Sequence, residues 1–354
     1  MGDTQLRVDS EVLGVVVTSS VPLPAETLAF ARALGRLDLG ASSLGSDWTI
    51  EVRSPGRTTQ IAAEYELGYA PRRGGLALLP KGDIEMRISA KSGFPLLRWR
   101  GAGIAVFDAR ASAVQVHRFA ASADLGWMLN FLIATPLAAL GVIQPFHASV
   151  VEIERDSVML LGSRGAGKTS LALALCELGG RLVTEDVTYM TREGFYAAAT
   201  VRSFMTLRVG TRSAFRDFLG LDAKFAAMSD RGRFELGVTH QERFPLDVLV
   251  DRASSNESHP RRVGLVVLPR IDPGYRGAPV STPVDHRHVQ AVANESMPPA
   301  LTSWAAAVLP RQVRRAPKQP WSLLGVPAIE LKLGLDYRSH GRALLRDLGA
   351  YVEK

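Results

Sequence analysis

Two short stretches of this chain hold residue types spaced for chemistry on a phosphate group. The first is Val158-Met159-Leu160-Leu161-Gly162-Ser163-Arg164-Gly165-Ala166-Gly167-Lys168-Thr169, with the spacing G-x-x-x-x-G-K-T. Glycine at 162, 165 and 167 lets the backbone bend so that successive N–H groups point inward at phosphate oxygens. Lys168 can reach the outer phosphates, and the Thr169 hydroxyl is placed to ligate Mg2+. The expected nucleotide-binding set is therefore Gly162, Ser163, Arg164, Gly165, Ala166, Gly167, Lys168, Thr169 and Ser170. The second stretch is the paired acids Glu185-Asp186, which close the run Arg181-Leu-Val-Thr. Phosphate transfer needs such carboxylates, one to orient Mg2+ and one to accept a proton from an attacking hydroxyl. Adjacent carboxylates also push one pKa upward, which suits a base.

These residues work only if the surrounding elements bring them together. Val158–Leu161 reads as a strand entering the loop, and Thr169–Leu178 as a strong helix former stopped by Gly179-Gly180. Its N-terminus adds partial positive charge under the phosphates. A ligand-free glycine-rich turn is the other reading of the motif, but strand, loop, helix and stop in this order favour a nucleoside triphosphate. Residues 146–153 read as a strand that pairs with 158–161 about a turn at 154–157. That hairpin predicts partner numbers summing to about 311, so that Gly162 lies opposite Ser149 and His147 is level with the loop. His147 there meets a phosphate or orders a carboxylate, or is a strand-end histidine with no role; both readings stay open. The strand from Arg181 is expected beside the loop strand and parallel to it, because a helix connects them. Its carboxyl end would then carry Glu185-Asp186 to the triphosphate.

Three segments together resemble one known family. Phe146-His-Ala-Ser-Val-Val, the loop Gly162-Ser-Arg-Gly-Ala-Gly-Lys-Thr-Ser-Leu, and Arg181-Leu-Val-Thr-Glu-Asp-Val are similar to the catalytic domain of HPr kinase/phosphorylase. They are closer still to HPr-kinase-like proteins that include the lasso-peptide kinases. Ser203-Phe-Met-Thr-Leu-Arg208 is similar to a segment that carries a basic residue in these kinases, and Leu265-Val-Val-Leu-Pro-Arg270 to their later core strand. The resemblance implies an α/β fold, a P-loop kinase core of HPr kinase/PEP carboxykinase-like type with an N-terminal mainly β domain. It implies ATP and Mg2+ as the cofactors and a serine-type hydroxyl as acceptor. It makes Asp186 the base, Glu185 its acidic partner and a metal ligand with Thr169, His147 a neighbour of the reacting phosphate, and Arg208 a charge stabiliser. Glu185 stands where HPr kinases carry aspartate.

The rest of the chain bounds this reading. Its 354 residues allow two domains, and 46% hydrophobic with 22% charged residues is ordinary globular composition. The net charge of +7 is spread over many arginines with no basic stripe interleaved with aromatics, so no nucleic-acid partner is expected. The single cysteine, Cys176, excludes an intrachain disulfide and reads as a small buried hydrophobe. No secretory pattern opens the chain, so a cytoplasmic location is expected. The apolar run 125–143 carries Asn130, Thr135 and Pro136 and reads as a buried helix, or a helix pair broken at Pro136, rather than a membrane span.

Short alternating runs at 48–53, 62–67, 83–88, 103–107 and 113–117 read as strands, with turns at 54–56, 71–75 and 80–82. The expected division is thus a mainly β domain at 1–123, a helical connection at 124–145 and an α/β catalytic domain at 146–354. Within the last, 251–260 reads as a loop, 270–300 as a stretch rich in proline and polar residues, and roughly 300–318 and 340–353 as helical. The function expected is a kinase acting on a serine-type hydroxyl of a peptide or small protein. Transfer to a small molecule, or nucleotide-dependent binding without transfer, are the alternatives. Homo-oligomerisation is left open by the sequence.

Overall fold

The structure is a computed structural model. It describes residues 4–9, 13–35, 47–53, 69–71, 84–89, 95–99, 102–108, 112–119, 124–153, 156–191, 195–196, 204–208, 211, 214–219, 241–245, 261–296, 323 and 325–352. The described residues fall into two compact units, one running through Gln144 and the other starting at Pro145. Both mix strands and helices. The expected strand at 62–67, the turns at 54–56 and 80–82, the loop at 251–260 and the helix at 300–318 lie outside the described residues.

The first unit carries an eight-stranded sheet in the order β1-β2-β3-β8-β7-β6-β5-β4. Its strands are β1 (Thr4–Val8), β2 (Gly14–Ser19), β3 (Asp47–Arg53), β4 (Tyr69–Pro71), β5 (Ile84–Ser89), β6 (Pro95–Trp99), β7 (Gly103–Asp108) and β8 (Ala113–Arg118). Period-two alternation sends Trp48, Ile50 and Val52 to the buried face of β3. Helices α1 (Ala25–Gly35) and α2 (Leu125–Ala139) pack on each other within this unit. They meet where Gly126 allows close approach, since a Cβ there would overlap the Glu26 side chain. Trp99 meets Trp127 edge-on at 4.8 Å and Phe131 at 5.6 Å, an aromatic seam between sheet and helix.

Of the two readings of the run 125–143, a buried helix or a helix pair broken at Pro136, helix α2 is the first. The helix runs through that proline to Ala139, with Leu140 N–H bonded to Pro136 O at 3.1 Å. Pro136 has no N–H to give Leu132 O, so the helix continues through it at the cost of that one ladder bond, while Thr135 Oγ1 donates to the neighbouring Phe131 O at 2.7 Å. No helix among the described residues is long and apolar enough to cross a membrane.

The second unit is built on a nine-stranded sheet that contains the path β12-β10-β11-β17 and continues through β19 to β18. The strands are β9 (Gln144–Phe146), β10 (Ala148–Ile153), β11 (Asp156–Leu161), β12 (Arg181–Thr184), β13 (Thr188–Met190) and β14 (Phe195–Tyr196). A separate two-stranded ribbon pairs β15 (Phe204–Arg208) with β16 (Gln241–Pro245), and the sheet resumes with β17 (Arg261–Ile271), β18 (Val280–Pro283) and β19 (Ala328–Leu333). The longer helices of the unit are α3 (Lys168–Glu177), α4 (His286–Ser296) and α5 (Gly341–Val352). Strand β18 and helix α4 arise from the stretch 270–300, which the sequence marked as rich in proline and polar residues with no element assigned.

Strand β11 is parallel to β17, and β17 is parallel to β19, while β10 runs antiparallel to β11. One core joins Val158, Leu160, Leu265, Val267, Ile329 and Leu331 of the sheet to Leu171 and Leu175 of α3 and Leu344 and Leu348 of α5. Each such side chain contributes roughly 1.5–3 kcal/mol by leaving water, so the sheet edge that carries the loop is firmly anchored.

Two expected pairings are corrected here. The hairpin partners sum to 309 rather than 311, with Ser149 opposite Leu160 and Ala148 opposite Leu161. Ile153 pairs with Asp156, so two residues rather than four separate the strands. A shift of two keeps every side chain on its face, because the pleat repeats every two residues. Extending this register brings His147, not Ser149, opposite Gly162. The second correction concerns β12, which pairs antiparallel with β10 and not with the loop strand β11. Two antiparallel steps leave β12 running in the direction of β11, so its carboxyl end still reaches the loop end of the sheet.

Candidate active site

Four chain segments converge at that end: the carboxyl ends of β11, β12 and β17 and the amino end of β10. The loop after β11 turns on glycines. Gly165 and Gly167 have φ of 93° and 99°, a region in which L side chains are strained. At Gly167 space is also closed, since a Cβ would stand 2.6 Å from Ile271 Cδ1 at the end of β17. Gly167 caps α3 with no side-chain hydrogen bond, leaving the amino end of the helix to its backbone donors. Gly179 and Gly180 close the other end, donating to Cys176 O at 3.0 Å and Leu175 O at 2.8 Å, a Schellman arrangement.

Lys168 is buried, with Nζ donating to Gly162 O at 2.8 Å and Ser163 O at 3.1 Å. Thr169 Oγ1 lies 3.0 Å from Glu185 Oε1, and Glu185 is only 5% exposed. A hydroxyl and a carboxylate are the hard oxygen donors that Mg2+ takes, and their side-by-side placement fits that ion. Among the described residues no group of three or more His, Cys, Asp or Glu side chains could hold a metal. Phosphate oxygens and water would therefore complete its shell. Ser170 faces elsewhere: its Oγ pairs with Thr211 Oγ1 at 2.9 Å, and its carbonyl accepts from Tyr337 Oη at 3.1 Å. Burial pushes the Tyr337 phenol up, which keeps it a donor. Ser163, Arg164 and Gly165 are exposed at the loop tip.

Asp186 follows Glu185 in an unusual conformation, with φ of 66°. Val187 N–H donates to Glu185 O at 2.8 Å, closing a three-residue γ-turn around Asp186. Such a backbone costs on the order of 1–2 kcal/mol for a residue with a Cβ, and Asp is among the few that tolerate it. The turn throws successive acids in different directions. Glu185 reaches Thr169, while Asp186 Oδ1 reaches His147 Nε2 at 3.1 Å. The intervening strand β10 is thus what places His147 between loop and acid. Below it, Thr188 Oγ1 bridges Thr184 Oγ1 at 2.5 Å and Ala148 O at 3.1 Å, fixing the turn to β10.

Arg208 ends β15, with its backbone paired to Gln241 of β16; its side chain is not among those described. The adjacent Leu207 is fully buried in the core beneath α3. Cys176 is buried in that core too, and burial pushes its thiol up to about 12, far from a reactive thiolate. Ser296, the last residue of α4, was not foreseen. Its carbonyl accepts from His147 N–H at 3.1 Å, and its Oγ donates to Gly162 O at 3.5 Å. Nothing in the local sequence marks it, because its partners lie more than a hundred residues away.

Comparison with known proteins identifies relatives over short stretches. The chain is 45% identical over 51 residues to an HPr kinase/phosphorylase of Prosthecochloris aestuarii, covering 14% of this chain and 15% of that protein. It is 39% identical over 70 residues to the HPr kinase/phosphorylase of Chloroherpeton thalassium, 18% and 21% of the two chains. It is 32% identical over 94 residues to that of Chlorobaculum tepidum, 27% and 24%. Over these stretches the chain is HPr-kinase-like. The matches span between 15% and 24% of these relatives' own lengths. No family model matches the chain.

Proposed function

We propose that this chain is an ATP-dependent kinase with a P-loop core of the HPr-kinase-like type, transferring the γ-phosphate to a serine-type hydroxyl of a peptide or small protein. What carries this reading is the flanking of one glycine loop by two different side-chain pairs, the hydroxyl of Thr169 with the Glu185 carboxylate and the imidazole of His147 with the Asp186 carboxylate. The names of the relatives support the kinase class. The pairing divides labour between adjacent acids. Glu185 and Thr169 would hold Mg2+, which neutralises phosphate charge when bound. Asp186, oriented by His147, accepts the proton of the attacking hydroxyl. Lys168 and the loop amides take up negative charge on the phosphates as the bond to the leaving oxygen lengthens. Arg208 is assigned a supporting role in the same charge stabilisation.

The test is incubation with MgATP and serine-bearing peptides, read by mass spectrometry alongside a direct nucleotide-binding measurement. Acceptor phosphorylation that disappears with Asp186→Asn is the expected result. Nucleotide binding with no transfer to any peptide or small-molecule hydroxyl would sink the kinase reading and leave a nucleotide-dependent binding module.

A further inference from the structure

The Gly162 carbonyl has two donors directed at it. Lys168 Nζ holds it at 2.8 Å, and Ser296 Oγ stands off at 3.5 Å. The first is an ordinary hydrogen bond; the second is at the outer limit of one. Gly162 is itself buried, and Ser296 is 6% exposed, so water is poorly placed to serve this oxygen. Lys168 is also the group that must contact the outer phosphates of a bound nucleotide. In the structure that ammonium is turned back onto the loop's own carbonyls, at Gly162 and Ser163. To reach a phosphate it has to leave at least one of them. Ser163 is exposed and can be rehydrated, whereas the Gly162 carbonyl would lose its donor in a buried place.

We infer that Ser296 is a positioning residue that takes over the Gly162 carbonyl when Lys168 swings to the nucleotide. With the lysine gone, a small adjustment of the Ser296 side chain about Cα–Cβ brings the long contact to a normal length. The backbone of Ser296 is already fixed for this, because its carbonyl holds His147 N–H at 3.1 Å. Helix α4 therefore acts on the loop through its last residue, and its hydroxyl lowers the cost of releasing the lysine. The inference rests on the nucleotide reading of the loop, and it predicts an exchange of partners rather than a static brace.

A static brace and an exchange partner differ in a double-mutant cycle with Lys168→Met, read by thermal unfolding of the full ligand-free chain. If Ser296 is an exchange partner, Ser296→Ala barely moves the melting temperature while Lys168 serves the carbonyl. In the Lys168→Met background the same change lowers it by at least about 3 °C more, because the carbonyl then has no donor. Equal shifts in both backgrounds overturn the inference. In the Lys168 background, Ser296→Ala should also weaken binding of a non-hydrolysable ATP analogue about fivefold or more. Ser296→Thr, which keeps the hydroxyl, should restore it, and Ser296→Val, of similar shape, should not. If Ser296→Ala fails to fold, the Thr and Val variants decide the same question, and equal analogue affinity for those two refutes the hand-over. Failure of the wild-type chain to bind the analogue would strike the nucleotide reading itself, a result distinct from any of these.

Discussion

His147 Nε2 and Asp186 Oδ1 lie 3.1 Å apart, joined across strand β10 although the acid follows a different strand. The contact exists because Asp186 occupies the centre of a γ-turn while Glu185, one residue earlier, turns to Thr169. Replacing Asp186 with Asn keeps a side chain that tolerates this backbone but removes the proton acceptor. Transfer should fall by about 10²–10⁴ while nucleotide affinity is kept. Steady-state rates beside calorimetric binding check this, and a near-normal rate would reassign the base.

Glu185→Gln separates the roles of the two acids. The amide keeps the size of the side chain and its contact with Thr169, and loses the charge that attracts Mg2+. The Mg2+ concentration for half-maximal turnover should rise at least about tenfold. A titration of activity against Mg2+ at fixed nucleotide reads it, and an unchanged midpoint removes Glu185 from the metal set.

Gly167→Ala carries two separable costs. The first is a φ of 99°, which costs an alanine roughly 1–2 kcal/mol. The second is overlap with Ile271, whose Cδ1 and Cγ1 lie 2.6 and 2.8 Å from the new Cβ. Loss of nucleotide binding is expected in the single variant. Adding Ile271→Ala removes the overlap but not the backbone strain, so binding should recover only in part. Full recovery would show that space alone excludes a side chain there.

Cys176 gives a pH dependence with a fixed sign. Burial pushes its thiol up to about 12 from the ordinary 9.0, so above pH 9 the unfolded chain loses this proton before the folded one does. Stability from this group is therefore complete below pH 9 and declines between pH 9 and about 12, by about 1.4 kcal/mol per pH unit at most. Denaturant midpoints compared with Cys176→Ala across that range should diverge with the wild type falling faster. Parallel curves would place the thiol in contact with solvent. Alkylation of native protein at neutral pH should accordingly be slow.

The parts of the site that were legible in the sequence are those whose chemistry is local. The loop spacing names Gly162 to Thr169 by itself, and the helix stop at Gly179-Gly180 follows from composition. Glu185-Asp186 could be brought to the loop because any strand after a crossover helix ends near the preceding one. The order of strands could not be read: β10 inserts between β12 and β11 because it is tied to the latter by a two-residue hairpin. The register erred by two for the same reason, since Glu154-Arg155-Asp156-Ser157 offers polar residues enough for either turn length. Helix α4 was missed because His286, Arg287, His288 and Asn294 mask its few buried positions, Val289, Ala293 and Ser296. In the first unit, Pro136 left a continuous helix and a broken pair both open, because one lost ladder bond is compatible with either.

The two-residue connection between β10 and β11 has a bearing on how the site comes into being. His147, the loop, Thr169, Glu185 and Asp186 all fall within a single run of chain, and the Thr169–Glu185 contact spans only 16 residues. Contacts so near in sequence close small loops and cost little chain entropy, so this run can take shape early in folding. The Ser296–Gly162 contact spans 134 residues and must wait for β17 and α4. Of the site's contacts this is then the last that can form, and a nascent chain holds the chemical groups before it holds the partner that can relieve Lys168 of the Gly162 carbonyl.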